Sequence, residues 1–204
     1  MTRVIMLRHG ETLWNREGKM QGQADVELSA HGREQAREVA AELTRYAFDA
    51  VWSSPLSRAL ETARTVASVQ GLDVHVDARL GEIDMGDWAG KTWAEVSKTH
   101  PEWVERLRAG EDFRRSESGE TAEEMARRGT RAVHDIAAKH PDQTVLVATH
   151  GFFTRVTLAS LLGLSGFGRG FGTLGNAHWA ELRHDDAGWV LLGYNLGGAQ
   201  PHGM

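Results

Sequence analysis

Three short polar clusters in this sequence have residue types that could do chemistry together. They are Arg8-His9-Gly10-Glu11-Thr12, Ser53-Ser54-Pro55-Leu56-Ser57-Arg58 and Thr149-His150-Gly151. Each follows a short apolar run, at residues 4–7, 50–52 and 144–148. If those runs are parallel strands of one sheet, the clusters meet at its carboxyl edge, where open α/β sheets bind ligands. Two histidines and two arginines would then share a pocket. Such a pocket suits a phosphoryl group, with an imidazole nitrogen as nucleophile and cations around the oxygens. Arginine adds a planar fork that meets two oxygens at once. Helix N-termini near Pro55 and Gly151 would add backbone donors and positive dipole ends. An attacking imidazole must be neutral, a form that neighbouring cations favour. Its other ring nitrogen needs an acceptor, a backbone carbonyl, to hold the tautomer.

The remaining histidines have plainer readings. His31, His75, His100, His134, His140, His184 and His202 are read as ordinary surface or satisfied core residues, and His178 as structural. Glu11 is of a type that could act as an acid or base. Arg58 falls in a predicted first helical turn, where a cation is disfavoured unless an anion faces it.

The elements that must position these clusters are legible from periodicity. After the first strand a loop runs to about Leu28, and Ser29 is a plausible N-cap for a helix bearing Ala36, Val39, Ala40 and Leu43. Ser54 as cap and Pro55 at the first helical position open the next helix, with Leu56, Ala59, Leu60, Ala63 and Ala67 on one stripe. Residues 72–76 alternate as a third strand. Thr121 and Glu124 have capping-box spacing ahead of a long amphipathic helix that ends before Pro141. Residues 144–148 form the strongest buried-strand signal, and an apolar helix covers 152–162. Residues 178–183 and 189–194 read as a hairpin turning near Asp185-Asp186-Ala187-Gly188. Strands alternating with helices predict an α/β/α sandwich with a mostly parallel sheet.

Between residues 79 and 118 the pattern weakens, with short helices expected at 93–100 and 103–109. Arg106, Arg108, Arg114 and Arg115 read either as a solvated face or as lid cations that draw in an acidic substrate. The glycine-rich run at 166–172 reads as a mobile loop, since it neither follows a strand nor fits a Walker pattern.

Composition narrows the class. The chain has 204 residues, which suits a single domain. Hydrophobic residues at 41% and charged residues at 25% fit a globular protein and exclude disorder. With no cysteine, a disulfide scaffold, a zinc–thiolate site and an iron–sulfur cluster are excluded. A net charge of −5 argues against nucleic acid. No apolar stretch approaches the ~20 residues of a membrane span, and the N-terminus lacks a signal-peptide pattern, so a cytoplasmic protein is expected. A homodimer is possible, but nothing in the sequence requires it.

Taken in order along the chain, the clusters resemble the motifs of the histidine phosphatase (phosphoglycerate mutase-like) superfamily. The match continues through Asn15, Gln21-Gly22-Gln23, Asp25, Leu28-Ser29, Gly32 and Gln35-Ala36. It extends through Ala59, Thr62-Ala63, Glu82, Gly86-Asp87-Trp88-Ala89-Gly90 and Gly119-Glu120-Thr121. The resemblance implies one domain over residues 1–204 with a lid-like insertion at about 83–118. It implies that His9 becomes phosphohistidine. Arg8, Arg58 and His150 would bind the equatorial oxygens and neutralise developing charge, so that no metal or cofactor is needed. Glu82 would protonate the leaving alcohol and then activate water, with Trp88 walling the pocket beside it. Asn15, Gln21, Gly22 and Gly151 complete the expected substrate contacts.

The implied function is a phosphomonoester hydrolase acting on a small phosphorylated metabolite, of sugar phosphate or phosphoglycerate type. Met20-Gln21-Gly22-Gln23 and Gly175-Asn176-Ala177 look most like a branch that includes glucosyl-3-phosphoglycerate phosphatases. A phosphoglycerate mutase is the alternative. A non-catalytic phospho-ligand binder is a second, against which the complete residue set argues. A metallohydrolase using His9, Glu11 and His150 lacks the His-Glu-x-x-His spacing.

Overall fold

The computed structural model describes residues 1–197, so His202 lies outside the described residues. In chain order the elements are β1 (Thr2–Arg8), α1 (Leu13–Arg16), α2 (Ala30–Glu42), β2 (Ala50–Ser53), α3 (Ser57–Gln70) and β3 (Val74–Val76). Then follow α4 (Trp93–Thr99), α5 (Pro101–Ala109), α6 (Ala122–Lys139), β4 (Thr144–Thr149), α7 (Gly151–Leu161), β5 (Trp179–Asp185) and β6 (Gly188–Leu196).

The strands form one six-stranded sheet in the order β3-β2-β4-β1-β5-β6. The first four run parallel, and the β5–β6 hairpin adds two antiparallel pairings. Strands β1 and β4 are adjacent, with Arg8 opposite Thr149, and β2 places Ser53 opposite Ala148. The three polar clusters therefore leave neighbouring parallel strands at one edge.

The apolar runs are continuous because both faces of the central strands are covered. Val4, Met6, Val145 and Val147 pack with Met125, Ile136 and Phe153 from α6 and α7. Ile5, Leu7, Leu146 and Ala148 pack on the other face with Val39 and Val66 from α2 and α3. This is the expected α/β/α arrangement. Among the described residues no helix is long and apolar enough to cross a membrane.

Local signals hold at Ser29, whose hydroxyl accepts from Gly32 N–H, and at the Thr121–Glu124 capping box. Three readings need correction. The expected loop after β1 contains α1, held by a capping box between Thr12 and Asn15. Strand β3 covers only Val74–Val76, at the sheet edge. Helix α3 opens at Ser57 rather than at Pro55, because its cap comes from far away in sequence. Asp25 accepts from Ser57 N–H and Ser57 Oγ, both at 2.7 Å. The close approach of the β1 loop to α2 rests on glycine. A Cβ on Gly10 would lie 2.3 Å from the Gly32 carbonyl oxygen, and one on Gly32 would lie 2.0 Å from that of Glu11.

The segment at 83–118, expected to be an insertion, contributes to a small aromatic cluster. Trp88, Val96 and Phe113 pack with Met20, Met85, Trp93 and Trp103, and the Trp88 and Trp103 rings lie 4.0 Å apart. Trp88 therefore belongs to this cluster instead of walling the pocket. Helix α5 starts at Pro101, two residues earlier than expected. The four arginines are not free lid cations. Arg106 pairs with Glu111, Arg108 with Glu105, Arg114 with Glu124 and Arg115 with Asp112.

Candidate active site

A cavity of about 240 Å³ opens at the carboxyl ends of the parallel strands. Eight of the nine sequence-chosen residues line it: Arg8, His9, Asn15, Gln21, Gly22, Arg58, Glu82 and Gly151. The ninth, His150, lies beneath the wall. Its ring is fully buried and meets His9 edge-on at 5.2 Å.

His9 is set by its own loop. Nδ1–H donates to the Gly10 carbonyl at 2.6 Å, the backbone acceptor that the chemistry demands. The Nε2 lone pair is thereby left for attack. Burial, then Arg58 and Arg8, pushes the His9 pKa well below its ordinary value. The ring is therefore neutral at neutral pH.

The two arginines spend part of their donors on the backbone. Arg8 Nη1 donates to the Leu174 carbonyl at 2.5 Å. Arg58 donates to the carbonyls of Ala24 and Gly22 at 2.8 and 2.7 Å, pinning the 22–24 loop. Burial, chiefly, pushes Arg58 down to about 10 despite Glu82 and Asp25. The same cause lowers Arg8. Glycine at 151 makes room for this arginine, since a Cβ there would sit 3.2 Å from Arg8 Nε. The contributions of Gly22 and Gly151 are thus a carbonyl anchor and vacant volume.

Asn15 and Gln21 are oriented by Thr12, which the sequence reading did not single out. Thr12 N–H donates to Asn15 Oδ1 at 3.0 Å, and Thr12 Oγ1 donates to Gln21 Oε1 at 3.0 Å. With both amide oxygens tied back, the NH₂ groups are what these side chains offer the cavity. Such donors suit an oxyanion.

His150 corrects one expectation. It is not a cation in this site, because burial, then Arg58 and His9, pushes its pKa well below the ordinary value. Ser54, expected as a helix cap, is its partner instead, with Oγ 2.9 Å from Nε2. Leu56 N–H donates to the same hydroxyl. In the tautomer with its proton on Nδ1, the His150 ring accepts the Ser54 hydroxyl proton at Nε2. That Nδ1 is buried and unpartnered among the described residues, as are Arg8 Nε and Arg58 Nε. Arg155 Nε, also in the cavity lining, is buried and unpartnered too, and such groups are costly to leave without a partner.

Glu82 corrects another. The N-terminus of α7 does not face the cavity as a free anion site. Phe153 N–H donates to Glu82 Oε1 at 2.8 Å and Phe152 N–H to Oε2 at 3.1 Å. The backbone of Glu82 is clamped by Arg128, a residue the sequence reading missed. Arg128 donates to the carbonyls of Arg79, Gly81 and Glu82 at 2.8, 2.6 and 2.8 Å, and to both Glu120 oxygens at 2.8 Å. Glu120 of the Gly119-Glu120-Thr121 motif was the available signal, since a part-buried carboxylate needs a partner.

Lys19, Met85, Phe152, Arg155, Thr173 and Leu174 also line the cavity. Arg155 was within reach of helical spacing, one turn beyond Gly151. Leu174 shows that the loop after the glycine-rich run reaches the site. Glu11 turns away toward Arg16 and Ser29, at 2.7 and 2.8 Å. That separates it from the two histidines, and among the described residues no group of three or more His, Cys, Asp or Glu could hold a metal ion.

The lowered histidines make a stability prediction. In the unfolded chain both titrate near 6.5. Below that pH the unfolded state takes up protons that the native state refuses, so stability present at neutral pH is lost as pH falls. Urea midpoints should therefore drop from about pH 7.5 to about pH 5, before the carboxylates titrate. Glu11, Asp77 and Asp112, held low by their hydrogen bonds, act further down. A flat midpoint over that range would show that the rings are not buried neutral.

The chain is similar to known proteins over nearly its whole length. A phosphoserine phosphatase of Hydrogenobacter thermophilus is 34% identical, over 96% of this chain and 93% of that protein. A probable phosphoglycerate mutase of an Enterobacter species is 30% identical, over 95% and 90%. The solved structure of a mycobacterial glucosyl-3-phosphoglycerate phosphatase with VO3 superposes with a TM-score of 0.88 at 36% identity, covering 96% of this chain and 99% of that one. The family model described as histidine phosphatase superfamily (branch 1) matches residues 4–197, nearly the whole length, and the chain belongs to that superfamily.

Proposed function

We propose that this protein is a metal-independent phosphomonoesterase for a small phosphorylated metabolite of the sugar phosphate or phosphoglycerate type. The observation that carries the reading is the set of buried, unpartnered donors, Arg8 Nε, Arg58 Nε and His150 Nδ1, around a cavity that also presents the His9 ring. A phosphoryl group supplies the acceptors those donors lack.

His9 Nε2 attacks phosphorus as the bond to the ester oxygen breaks. Glu82 gives its proton to the departing alkoxide. Arg8 and Arg58 draw off charge from the equatorial oxygens, and His150 donates from Nδ1 as a neutral ring. Water then enters, Glu82 removes its proton, and the new oxygen–phosphorus bond releases phosphate and restores His9. Positioned acid–base catalysis of this kind contributes about 10²–10⁴-fold.

The probable mutase among the relatives keeps a second reading in view, in which the phosphohistidine returns its phosphoryl group to product. The deciding assay supplies 3-phosphoglycerate with and without bisphosphoglycerate. Release of inorganic phosphate should exceed isomerisation in both. Isomerisation outrunning hydrolysis would reassign the protein as a mutase.

A further inference from the structure

Resting on the phosphatase reading, we infer that Ser54 is a positioning residue: its hydroxyl fixes the tautomer in which His150 offers the phosphoryl group an N–H from Nδ1. The two side chains ride on one strand pair. Ser53 stands opposite Ala148 in the β2–β4 register, and Ser54 N–H donates to the Ala148 carbonyl at 3.0 Å. Two residues beyond Ala148, the His150 carbonyl is held by Thr154, whose N–H and Oγ1 donate to it at 3.0 and 2.7 Å. Both backbones are thus pinned where Ser54 Oγ meets His150 Nε2 at 2.9 Å, and both residues are fully buried.

Following the protons shows which group donates. A hydroxyl has one proton to give and can accept two. Leu56 N–H, at 3.3 Å, takes one acceptor position of Ser54 Oγ, and the described residues give the hydroxyl proton no acceptor other than Nε2. Were the imidazole proton on Nε2, it would point at Ser54 Oγ. The hydroxyl proton would then be stranded in the interior, with an unused lone pair left on Nδ1. With the imidazole proton on Nδ1, the hydroxyl proton is used and Nδ1–H alone lacks a partner. A stranded buried group costs the full desolvation of that group, so the arrangement with fewer of them is favoured. The remaining donor is the one that an incoming phosphoryl oxygen satisfies. A free histidine side chain leans the other way, toward a proton on Nε2. The site therefore holds two imidazoles in the less common tautomer by opposite means. An acceptor at Nδ1, the Gly10 carbonyl, leaves His9 a lone pair at Nε2, and a donor at Nε2, the Ser54 hydroxyl, leaves His150 an N–H at Nδ1.

Nitrogen-15 NMR of protein labelled at histidine reads the tautomer without substrate. The His150 ring resonances, assigned by their loss in His150→Gln, should show a protonated Nδ1 and a bare Nε2 in the wild type. Ser54→Ala should move the proton to Nε2 of that ring while the His9 resonances stay in place. It should also lower kcat/KM for p-nitrophenyl phosphate by about tenfold, the size of one hydrogen bond to a charged group. Ser54→Thr keeps the hydroxyl and should keep the wild-type tautomer. A wild-type His150 protonated at Nε2 would overturn the inference, as would a Ser54→Ala protein whose His150 resonances or kcat/KM stay where they were. Lost activity with an unmoved tautomer would assign Ser54 to structure alone, and the phosphatase reading would stand. Failure of the wild type to hydrolyse p-nitrophenyl phosphate would overturn that reading, and with it the use inferred for the Nδ1 proton, whichever tautomer the resonances show.

Discussion

His9→Ala should lower turnover on every phosphomonoester by on the order of 10³-fold or more, because the covalent route disappears with the nucleophile. No neighbour can substitute. The His150 ring lies beneath the wall with Nε2 held by Ser54, and Glu82 is tied to the first backbone N–H groups of α7. The fold should survive. Among the described residues the only side-chain hydrogen bond lost is the one to the Gly10 carbonyl, and a neutral ring flanked by two arginines leaves no charge unpaired. A cost of roughly 1–3 kcal/mol is the ordinary range for a buried change of this size. Trapping with labelled substrate should mark the wild type with an acid-labile, alkali-stable adduct and leave the variant unmarked. Hydrolysis of phenyl phosphate by the variant near the wild-type rate would remove the nucleophile assignment.

Glu82→Gln should divide substrates by leaving group. Alkyl phosphates leave as poor alkoxides and need the proton, so their kcat/KM should fall by about 10²–10⁴-fold. Aryl phosphates leave as stable phenoxides and should lose far less. The comparison belongs in kcat/KM, which stops at phosphorylation of His9; the later attack of water also needs Glu82, so a burst should appear with aryl esters. Equal loss on both classes would count against Glu82 as the acid. Arg128 extends the argument, because it acts through Glu82 rather than on substrate. Arg128→Lys keeps a cation for Glu120 but cannot span three carbonyls and a carboxylate, so the backbone of Glu82 is released. It should reproduce a weaker copy of the same leaving-group pattern. A role confined to stability would depress both substrate classes alike.

Much of the architecture was legible because its signals are local. Residues 144–148 are apolar without interruption because β4 is covered on both faces. Ser29 and Thr121 cap their own helices within three residues. What escaped was long-range. The cap of α3 comes from Asp25, 32 residues away, and Ser54 was misread because its partner, His150, is 96 residues off. The arginines at 106–115 read as two alternatives because only the Arg108–Glu105 pair follows helical spacing within a helix, while Arg114 finds Glu124 ten positions away.

The chain order of residue types by itself determined that two histidines and two arginines reach one sheet edge, since three apolar runs of strand length each end at a polar cluster and parallel strands end together. Tertiary structure decided their protonation and their aim. His150 is neutral because packing excludes water and brings Arg58 close, and a dielectric environment has no local signature in a sequence. The α7 N-terminus receives Glu82 rather than substrate because Arg128 fixes the intervening backbone from another helix. Strand ends follow from periodicity; hydrogen-bond partners follow from where the whole chain closes.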